Sequence, residues 1–135
     1  MTKTNNKNAA DHIPVIAVDF DGVINTAEYP KVQEECNDSA YVTLMEASQR
    51  GCAIILNTCR EGQALLDAIN YCLRWGFPID RVNDNTPDNI AKYGSNSRKV
   101  YADIYIDERQ VGGLPDWVKI DEYLEQFYLK DIEPF

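Results

Sequence analysis

Three groups of polar residues follow short apolar runs in this sequence, at positions 19–22, 57–60 and 107–109. The first group holds two carboxylates, the second a threonine and an arginine, and the third two further carboxylates. Carboxylates that gather in one place repel one another strongly unless a cation or protons intervene. An all-oxygen cluster without histidine or paired cysteines is the ligand set of a hard cation, and Mg²⁺ is the cation that we expect.

The spacing of Asp19 and Asp21 suits two complementary roles in the transfer of a phosphoryl group. Asp19 ends its predicted strand and can be held rigidly as a nucleophile, while Asp21 can reach the same substrate as an acid/base. Gly22 allows the backbone to turn sharply directly after them. The hydroxyl of Thr58 can bind an oxygen of the transferred phosphoryl group, and a lysine would neutralise the charge on that group.

Each group also has an ordinary structural explanation when it is taken alone. Acids at the end of a strand are often only turn formers, and a threonine there is more often a helix cap. Residues 107–109 can form a solvated turn, and Arg60 can either bind a substrate phosphate or pair with an acid near Glu61. The functional interpretation therefore depends on the three groups meeting at one edge of the same sheet.

Strands and helices alternate along the chain, and these are the elements that must position the polar groups. Continuous apolar runs at 15–18 and 53–56 predict strands that are buried on both faces of a parallel sheet. The further expected elements are a strand within 100–107, a short strand at 79–82, and helices at about 40–50 (capped by Asp38 or Ser39), 61–75 and 120–129. This order predicts an α/β fold, in which ligands bind beyond the carboxyl ends of the strands.

The three groups, in this order, resemble motifs of the haloacid dehalogenase-like (HAD) superfamily. Residues 19–23 resemble its first motif, Thr58 resembles the second, and residues 106–108 resemble the acidic fourth motif. The resemblance covers most of the chain and extends to small capless bacterial members and, more distantly, to deoxyribonucleotidase-like members. It implies a three-layer α/β/α Rossmann-like fold with a mostly parallel sheet and no cap domain.

The resemblance also implies a role for each matching residue. The first aspartate of the superfamily accepts the phosphoryl group and the second is the acid/base, which map onto Asp19 and Asp21. Mg²⁺ is bound by the first aspartate, by the backbone carbonyl of the second and by an acid of the fourth motif, here Asp107. Glu108 stands where a second aspartate is common, which assigns it to a metal-bound water rather than to the metal.

The third motif of the superfamily is a lysine, for which Lys99 is the candidate. Lys99 precedes Asp107 by only eight residues. At about 3.3 Å per residue, an extended connection would place it more than about 20 Å from the site. Lys99 can serve as a catalytic and substrate-binding residue only if the chain before Asp103 folds back, and Lys92 is the alternative.

The chain has no space for a folded cap. Residues 23–36 suffice only for a short flap, and the stretch from Trp75 to Lys99 is again too short. We expect a loose tail at 1–12 and one catalytic domain at 13–135, because the first residues are polar with nothing to pack. An open site of this kind admits a phosphorylated macromolecule or a small ester covered by another subunit. The tyrosines and proline that can line its opening are Tyr29, Pro30, Tyr93 and Tyr101.

Composition excludes several other classes of protein. A net charge of −9, from 22 acidic and 13 basic residues, argues against a surface that binds nucleic acid or anionic lipid. His12 is the single histidine, which argues against a Ser-His-Asp triad, a Cys-His dyad or a histidine zinc site. The four cysteines show no CxxC spacing, and Cys52, Cys59 and Cys72 are expected to be buried thiols. With no apolar signal or membrane segment, we expect a cytoplasmic protein with reduced thiols.

The function expected from the sequence is Mg²⁺-dependent hydrolysis of a phosphomonoester through an aspartyl-phosphate, with a nucleotide or another small ester as substrate. Two alternatives are a phospho-accepting switch of the receiver type and a catalytically idle HAD-like binding protein. A receiver usually carries adjacent acids at its first strand and the phosphate acceptor on a later one. Here the Asp-x-Asp pair comes first and the other acids come last, an order that favours the hydrolase.

Overall fold

The structure of the protein is a computed structural model that describes residues 12–131. Its elements, in chain order, are β1 (Val15–Val18), α1 (Asp38–Gln49), β2 (Ala53–Leu56), α2 (Gly62–Trp75), β3 (Arg81–Val82), α3 (Pro87–Tyr93), β4 (Ile104–Ile106) and α4 (Trp117–Asp131). Of the tail predicted at residues 1–12, all but His12 lies outside the described residues. The ring nitrogen Nε2 of His12 lies 3.1 Å from Oδ1 of Asp103, so this residue already contacts the folded domain.

The four strands form one parallel sheet in the order β3-β2-β1-β4. β1 lies between β2 and β4, and its last residue, Val18, is opposite Leu56 and Ile106. Because all strands run in the same direction, their carboxyl ends lie along one edge of the sheet. The predicted α/β architecture, a three-layer Rossmann-like fold with a parallel sheet, is confirmed.

Both faces of the two central strands are buried, which explains why their apolar runs are continuous rather than alternating. One face packs with residues of α1, α2 and α4 in a single large cluster. The other face packs against the segment that carries Val100 and Ala102, together with Ile13. The sheet is therefore held between two layers, and its polar strand ends remain the accessible part.

Local side-chain chemistry determines where the helices begin. The cap of α1 is Asn37, whose Oδ1 accepts a hydrogen bond from the backbone nitrogen of Ala40. The prediction of Asp38 or Ser39 as the cap was wrong, because Asp38 is already helical whereas Asn37 has extended backbone angles. α4 begins earlier than predicted, at Trp117.

One element, α3, was not predicted. Thr86 caps it through its side chain, a proline occupies its first turn, and Gly94 ends it with a φ of +71°. These are ordinary start and stop signals. The helix has seven residues and buries only Asn89, so it lacks the apolar stripe by which longer helices are recognised.

No cap domain interrupts the fold within residues 12–131, as the sequence predicts. The segment between β1 and α1 is a compact flap rather than a folded insertion. None of the helices in the described chain combines the length and apolarity needed to span a bilayer.

Candidate active site

A cavity of about 530 Å³ opens at the carboxyl ends of β1, β2 and β4. It is lined by residues that follow these strands and by one residue of the flap: Asp19, Asp21, Tyr29, Asn57, Thr58, Cys59, Arg60, Asp107, Glu108 and Arg109. The three polar groups that the sequence singled out therefore meet in one place.

Three carboxylates converge on one side of this cavity. Asp19, Asp107 and Glu108 each place an oxygen within 4.8 Å of the other two. Oδ1 of Asp19 accepts a hydrogen bond of 2.7 Å from the backbone nitrogen of Phe20, and Oδ1 of Asp107 accepts one of 2.7 Å from that of Arg109. Each aspartate is thus fixed through one oxygen by the loop that follows its own strand.

The crowding of these acids changes their protonation. Burial, a hydrogen bond with Glu108 and the charges of Asp107 and Glu108 together raise the pKa of Asp19 to about 8. Burial opposes ionisation of Glu108 as well, but its hydrogen bonds with Asp19, with its own backbone and with Asp107 and Arg109 together outweigh burial and lower the pKa of Glu108. The two side chains therefore share one proton, which resides on Asp19 near neutral pH.

The donor set fits a hard divalent cation. All three groups offer carboxylate oxygens, the ligands that Mg²⁺ prefers. Oε1 of Glu108 is buried and has no hydrogen-bond partner among the described residues. A buried acceptor without a donor is costly, and a cation would satisfy it while displacing the shared proton.

Gly22 makes the position of Glu108 possible. Its φ is +81°, and a Cβ built on it would lie 2.8 Å from Cγ and 2.9 Å from Cδ of Glu108. Only glycine both adopts this backbone conformation without strain and leaves space for the glutamate. The first and third polar groups are therefore in direct steric contact, so Gly22 has a second role beyond the turn that the sequence predicts.

Asp21 lines the same cavity in an ion pair with Arg60. Nε and Nη2 of Arg60 donate to the two carboxylate oxygens of Asp21, each at 2.8 Å. The Arg60 side chain is only 1% exposed, and its other hydrogen bonds go to the carbonyl oxygens of Ala64 and Lys31. The structure pairs Arg60 with Asp21 rather than with the neighbourhood of Glu61, and its contact with a substrate phosphate stays a prediction.

This ion pair sets the charge of Asp21. Burial alone would raise the pKa of Asp21, but hydrogen bonds from Arg60 and Asn25 and the charge of Arg60 outweigh it and lower the pKa. Asp21 also raises the pKa of Arg60. In the ligand-free site, Asp21 is therefore a carboxylate at neutral pH.

The flap is organised around the buried side chain of Asn25. Its Nδ2 donates to the carbonyl oxygen of Lys31 at 2.8 Å, and its Oδ1 accepts from the backbone nitrogen of Gln33 at 3.0 Å. The Arg60 guanidinium contacts the rings of Phe20 and Tyr29, with Cζ at 5.0 and 5.1 Å from their centroids. These contacts hold Tyr29 at the cavity wall with 59% of its surface exposed.

Thr58 is held at the end of β2 by a residue that sequence reasoning missed. The backbone nitrogen of Thr58 donates to Oδ1 of Asn83 at 2.8 Å, and its Oγ1 accepts from the backbone nitrogen of Arg60 at 3.1 Å. Asn83 follows β3 and has a φ of +53°, a conformation that asparagine tolerates better than most residues. The hydroxyl hydrogen of Thr58 remains available to a ligand in the cavity.

The structure does not bring Lys99 or Lys92 to this cavity. Asp103 accepts a hydrogen bond from the backbone nitrogen of Val15, so the chain that leads into β4 lies at the amino edge of the sheet. Lys99 Nζ lies 5.2 Å from the centroid of the Tyr105 ring. The chain before Asp103 therefore does not fold back toward the carboxylates, which was the condition for Lys99 to serve in the site.

The expectations about the residues that line the opening of the cavity, and about the burial of Cys59, need correction. Of the aromatic and proline residues considered there, only Tyr29 lines the cavity, whereas the tilted rings of Tyr93 and Tyr101 contact one another with centroids 5.9 Å apart. None of the four cysteines forms a disulfide bond within the described residues, and Cys52 and Cys72 are buried as expected. Cys59 is exposed at the cavity wall rather than buried, because it lies beyond the last apolar residue of β2.

The chain is similar to a protein of known structure. No protein-family model matches the chain, and no curated protein matches it. A conserved protein from Bacteroides thetaiotaomicron has a solved structure that is 37% identical, covering 92% of this chain and 100% of that chain, with a TM-score of 0.74. At this identity over nearly the full length of both, the chain belongs to the same family as that conserved protein.

Proposed function

We propose that the protein is a Mg²⁺-dependent phosphomonoester hydrolase of the HAD type that acts through an aspartyl-phosphate on Asp19. The observation that carries the proposal is the convergence of Asp19, Asp107 and Glu108 at the carboxyl edge of the parallel sheet. Thr58, a hydroxyl donor suited to a phosphoryl oxygen, lines the same cavity.

Asp19 and Asp107 would hold Mg²⁺ through their side chains, together with the backbone carbonyl of Asp21. The unpartnered Oε1 of Glu108 supports a contact with the ion or with a water bound to it. When bound, Mg²⁺ supplies positive charge that offsets the carboxylates and the phosphate.

The nucleophile in this proposal is the carboxylate oxygen of Asp19 that Phe20 does not bind. This oxygen forms a bond to phosphorus while the bond between phosphorus and the ester oxygen breaks, and the departing alkoxide takes up a proton. The hydroxyl of Thr58 donates a hydrogen bond to an oxygen of the transferred group. Hydrolysis of the aspartyl-phosphate by water then restores Asp19.

Asp21 serves this sequence of steps as the acid/base. As a carboxylate paired with Arg60, it is already in the protonation state that accepts a proton from the attacking water in the second step. To protonate the leaving group in the first step it must gain a proton, and the negative charge of an arriving phosphate raises its pKa in that direction. By keeping Asp21 ionised, Arg60 favours its role as the base of the second step over its role as the acid of the first step.

The substrate class in this proposal is a small phosphate ester, such as a nucleotide, or a phosphorylated macromolecule. A cavity of about 530 Å³ is large enough for a small organic molecule as well as the phosphate itself. The flap leaves the cavity accessible from outside, which suits either substrate. We propose that the protein is cytoplasmic, a compartment in which its four cysteines would remain reduced thiols.

The second candidate function is a catalytically idle module that binds phosphate compounds. The observation that favours it is the position of Lys99 and Lys92 outside the cavity, which leaves the phosphate without the lysine used by HAD hydrolases. The phospho-accepting switch is a separate alternative, which would form the aspartyl-phosphate and stop there.

A panel of phosphate esters assayed with Mg²⁺ and with a chelator separates these functions. The hydrolase predicts phosphate release that requires Mg²⁺ and continues over many turnovers. Stoichiometric phosphorylation without turnover would support the switch. Binding of Mg²⁺ and inorganic phosphate, without hydrolysis of any ester, would support the idle module and contradict the proposal.

A further inference from the structure

A phosphate that enters the cavity meets more negative charge than one divalent cation can balance. Asp19, Asp107 and Glu108 contribute three carboxylates, whereas Asp21 is already neutralised by Arg60. A phosphate monoester adds up to two further negative charges near neutral pH. Coulomb repulsion at these short distances is large, so the bound state requires another positive group.

Arg60 cannot supply this charge. Nε and Nη2 are both engaged by Asp21, and Nη1 donates to the carbonyl oxygen of Ala64 at 3.0 Å. Although Arg60 lines the cavity, its side chain is only 1% exposed and its charge is already balanced by Asp21. Moving it toward a ligand would leave Asp21 unpaired.

Arg109 is the remaining cation among the described residues that line the cavity. Its side chain is 88% exposed, and its one hydrogen bond to a described side chain is a long contact of 3.4 Å from Nε to Oε2 of Glu108. Its backbone nitrogen donates to Asp107 at 2.7 Å, which anchors the start of the side chain beside the three carboxylates. Neither Nη atom of Arg109 has a partner among the described residues.

We propose that Arg109 binds the phosphate of the substrate and supplies the positive charge that none of the described lysines provides in this cavity. This inference rests on the proposed function, because it concerns the phosphate of the same substrate. The planar guanidinium presents parallel N–H donors that match two phosphate oxygens, a geometry that a lysine cannot reproduce. Arg109 is thus a substrate-binding residue that the motif pattern does not reveal.

The test compares Arg109→Gln with wild type and with Arg98→Gln, which removes an exposed arginine outside the cavity. Calorimetry with inorganic phosphate as the probe, in saturating Mg²⁺, measures binding without requiring turnover. We expect Arg109→Gln to weaken phosphate binding about tenfold or more, since a charged hydrogen bond is lost. Arg109→Lys should recover part of the loss, and Arg98→Gln should match wild type.

Titration with Mg²⁺ alone distinguishes phosphate binding by Arg109 from an indirect role in which Arg109 only holds the carboxylates that bind Mg²⁺. Removing a positive charge beside Glu108 should leave Mg²⁺ affinity unchanged or increase it. A parallel loss of Mg²⁺ and phosphate affinity, or a phosphate affinity equal to that of Arg98→Gln, would overturn the inference.

The outcomes also separate this inference from the proposed function. If wild type hydrolyses esters and Arg109→Gln binds phosphate normally, the inference alone fails. If wild type binds phosphate through Arg109 but hydrolyses no ester, the proposed function fails and the inference stands. If wild type with Mg²⁺ binds no phosphate, both are contradicted.

Discussion

Asp21 and Arg60 form an ion pair in which the arginine is almost fully buried and the aspartate is 25% exposed. Asp21→Asn would leave the guanidinium without its counter-charge, so we expect the free energy of unfolding to fall by about 3 kcal/mol. Asp84→Asn is the matched control, because Asp84 pairs with Arg81, whose side chain is 32% exposed instead of 1%, and its loss should cost clearly less. Urea unfolding of the three proteins measures the difference, and equal losses in the two variants would contradict this assignment.

The same pair has a defined dependence on pH. Because the folded state lowers the pKa of Asp21 below its ordinary 3.8, the pair stabilises the fold above that pH. The contribution is lost as the pH falls through the folded pKa. The stability difference between wild type and Asp21→Asn should therefore shrink in acid and be constant near neutrality.

Asp19 couples the binding of Mg²⁺ to the release of a proton. With its pKa raised to about 8, the metal-free carboxyl is mostly protonated at pH 7, and the ion must displace that proton. The apparent affinity for Mg²⁺ should therefore increase from pH 6 to about 8 and level off above it. Calorimetry in buffers of different ionisation enthalpy counts the protons released. An affinity independent of pH, or equal pH dependence in Asp19→Asn, would argue against this coupling.

The spacing of residues could identify the acids but not their partners. Asp19, Asp21 and Asp107 were predicted because each follows an apolar strand, and the parallel sheet brings such ends together. The bond between Asp21 and Arg60 joins residues 39 positions apart, one in the loop after β1 and the other in the loop after β2. No local pattern encodes that contact, so the protonation of Asp21 could not be read from the sequence.

Gly22 links the loop after β1 to the loop after β4, and its replacement tests that contact. Gly22→Ala should push Glu108 aside, since the added Cβ would lie 2.8 Å from Cγ of the glutamate. Gly94→Ala is the control, because it carries a similar positive φ of +71° but has open space around it. Both should lose about 1–2 kcal/mol of stability from backbone strain. Only Gly22→Ala should also weaken Mg²⁺ binding in a titration, and equal Mg²⁺ affinities would contradict the role given to Gly22.

The strands and helices could be predicted from the sequence where their burial produces a pattern of apolar residues. β1 and β2 are buried on both faces and therefore read as continuous apolar runs, and Gly76 marks the end of α2. α3 escaped prediction because it is short and faces mostly outward. The position of Lys99 could not be predicted because it depends on which edge of the sheet the chain crosses before β4.

The whole fold should respond to Mg²⁺, because a ligand that binds only the folded state stabilises it. At a concentration 100-fold above the dissociation constant, the gain is about 2.7 kcal/mol. Thermal unfolding with Mg²⁺ should therefore occur several degrees higher than with a chelator, and Asp107→Asn should remove most of this shift. An unchanged midpoint in wild type at millimolar Mg²⁺ would contradict a metal site at the carboxyl edge of the sheet.

Residues 12–131 form a parallel sheet with an open carboxyl edge and no cap. The proposed reaction at this edge depends on a single nucleophile, Asp19. The most direct measurement is steady-state hydrolysis of phosphate esters by purified Asp19→Asn in saturating Mg²⁺, with circular dichroism to verify that the variant is folded. The amide is nearly the same shape as the carboxylate but cannot attack phosphorus. We predict activity at the background of the uncatalysed reaction in a folded protein. Substantial turnover by Asp19→Asn would contradict the assignment of Asp19 as the nucleophile.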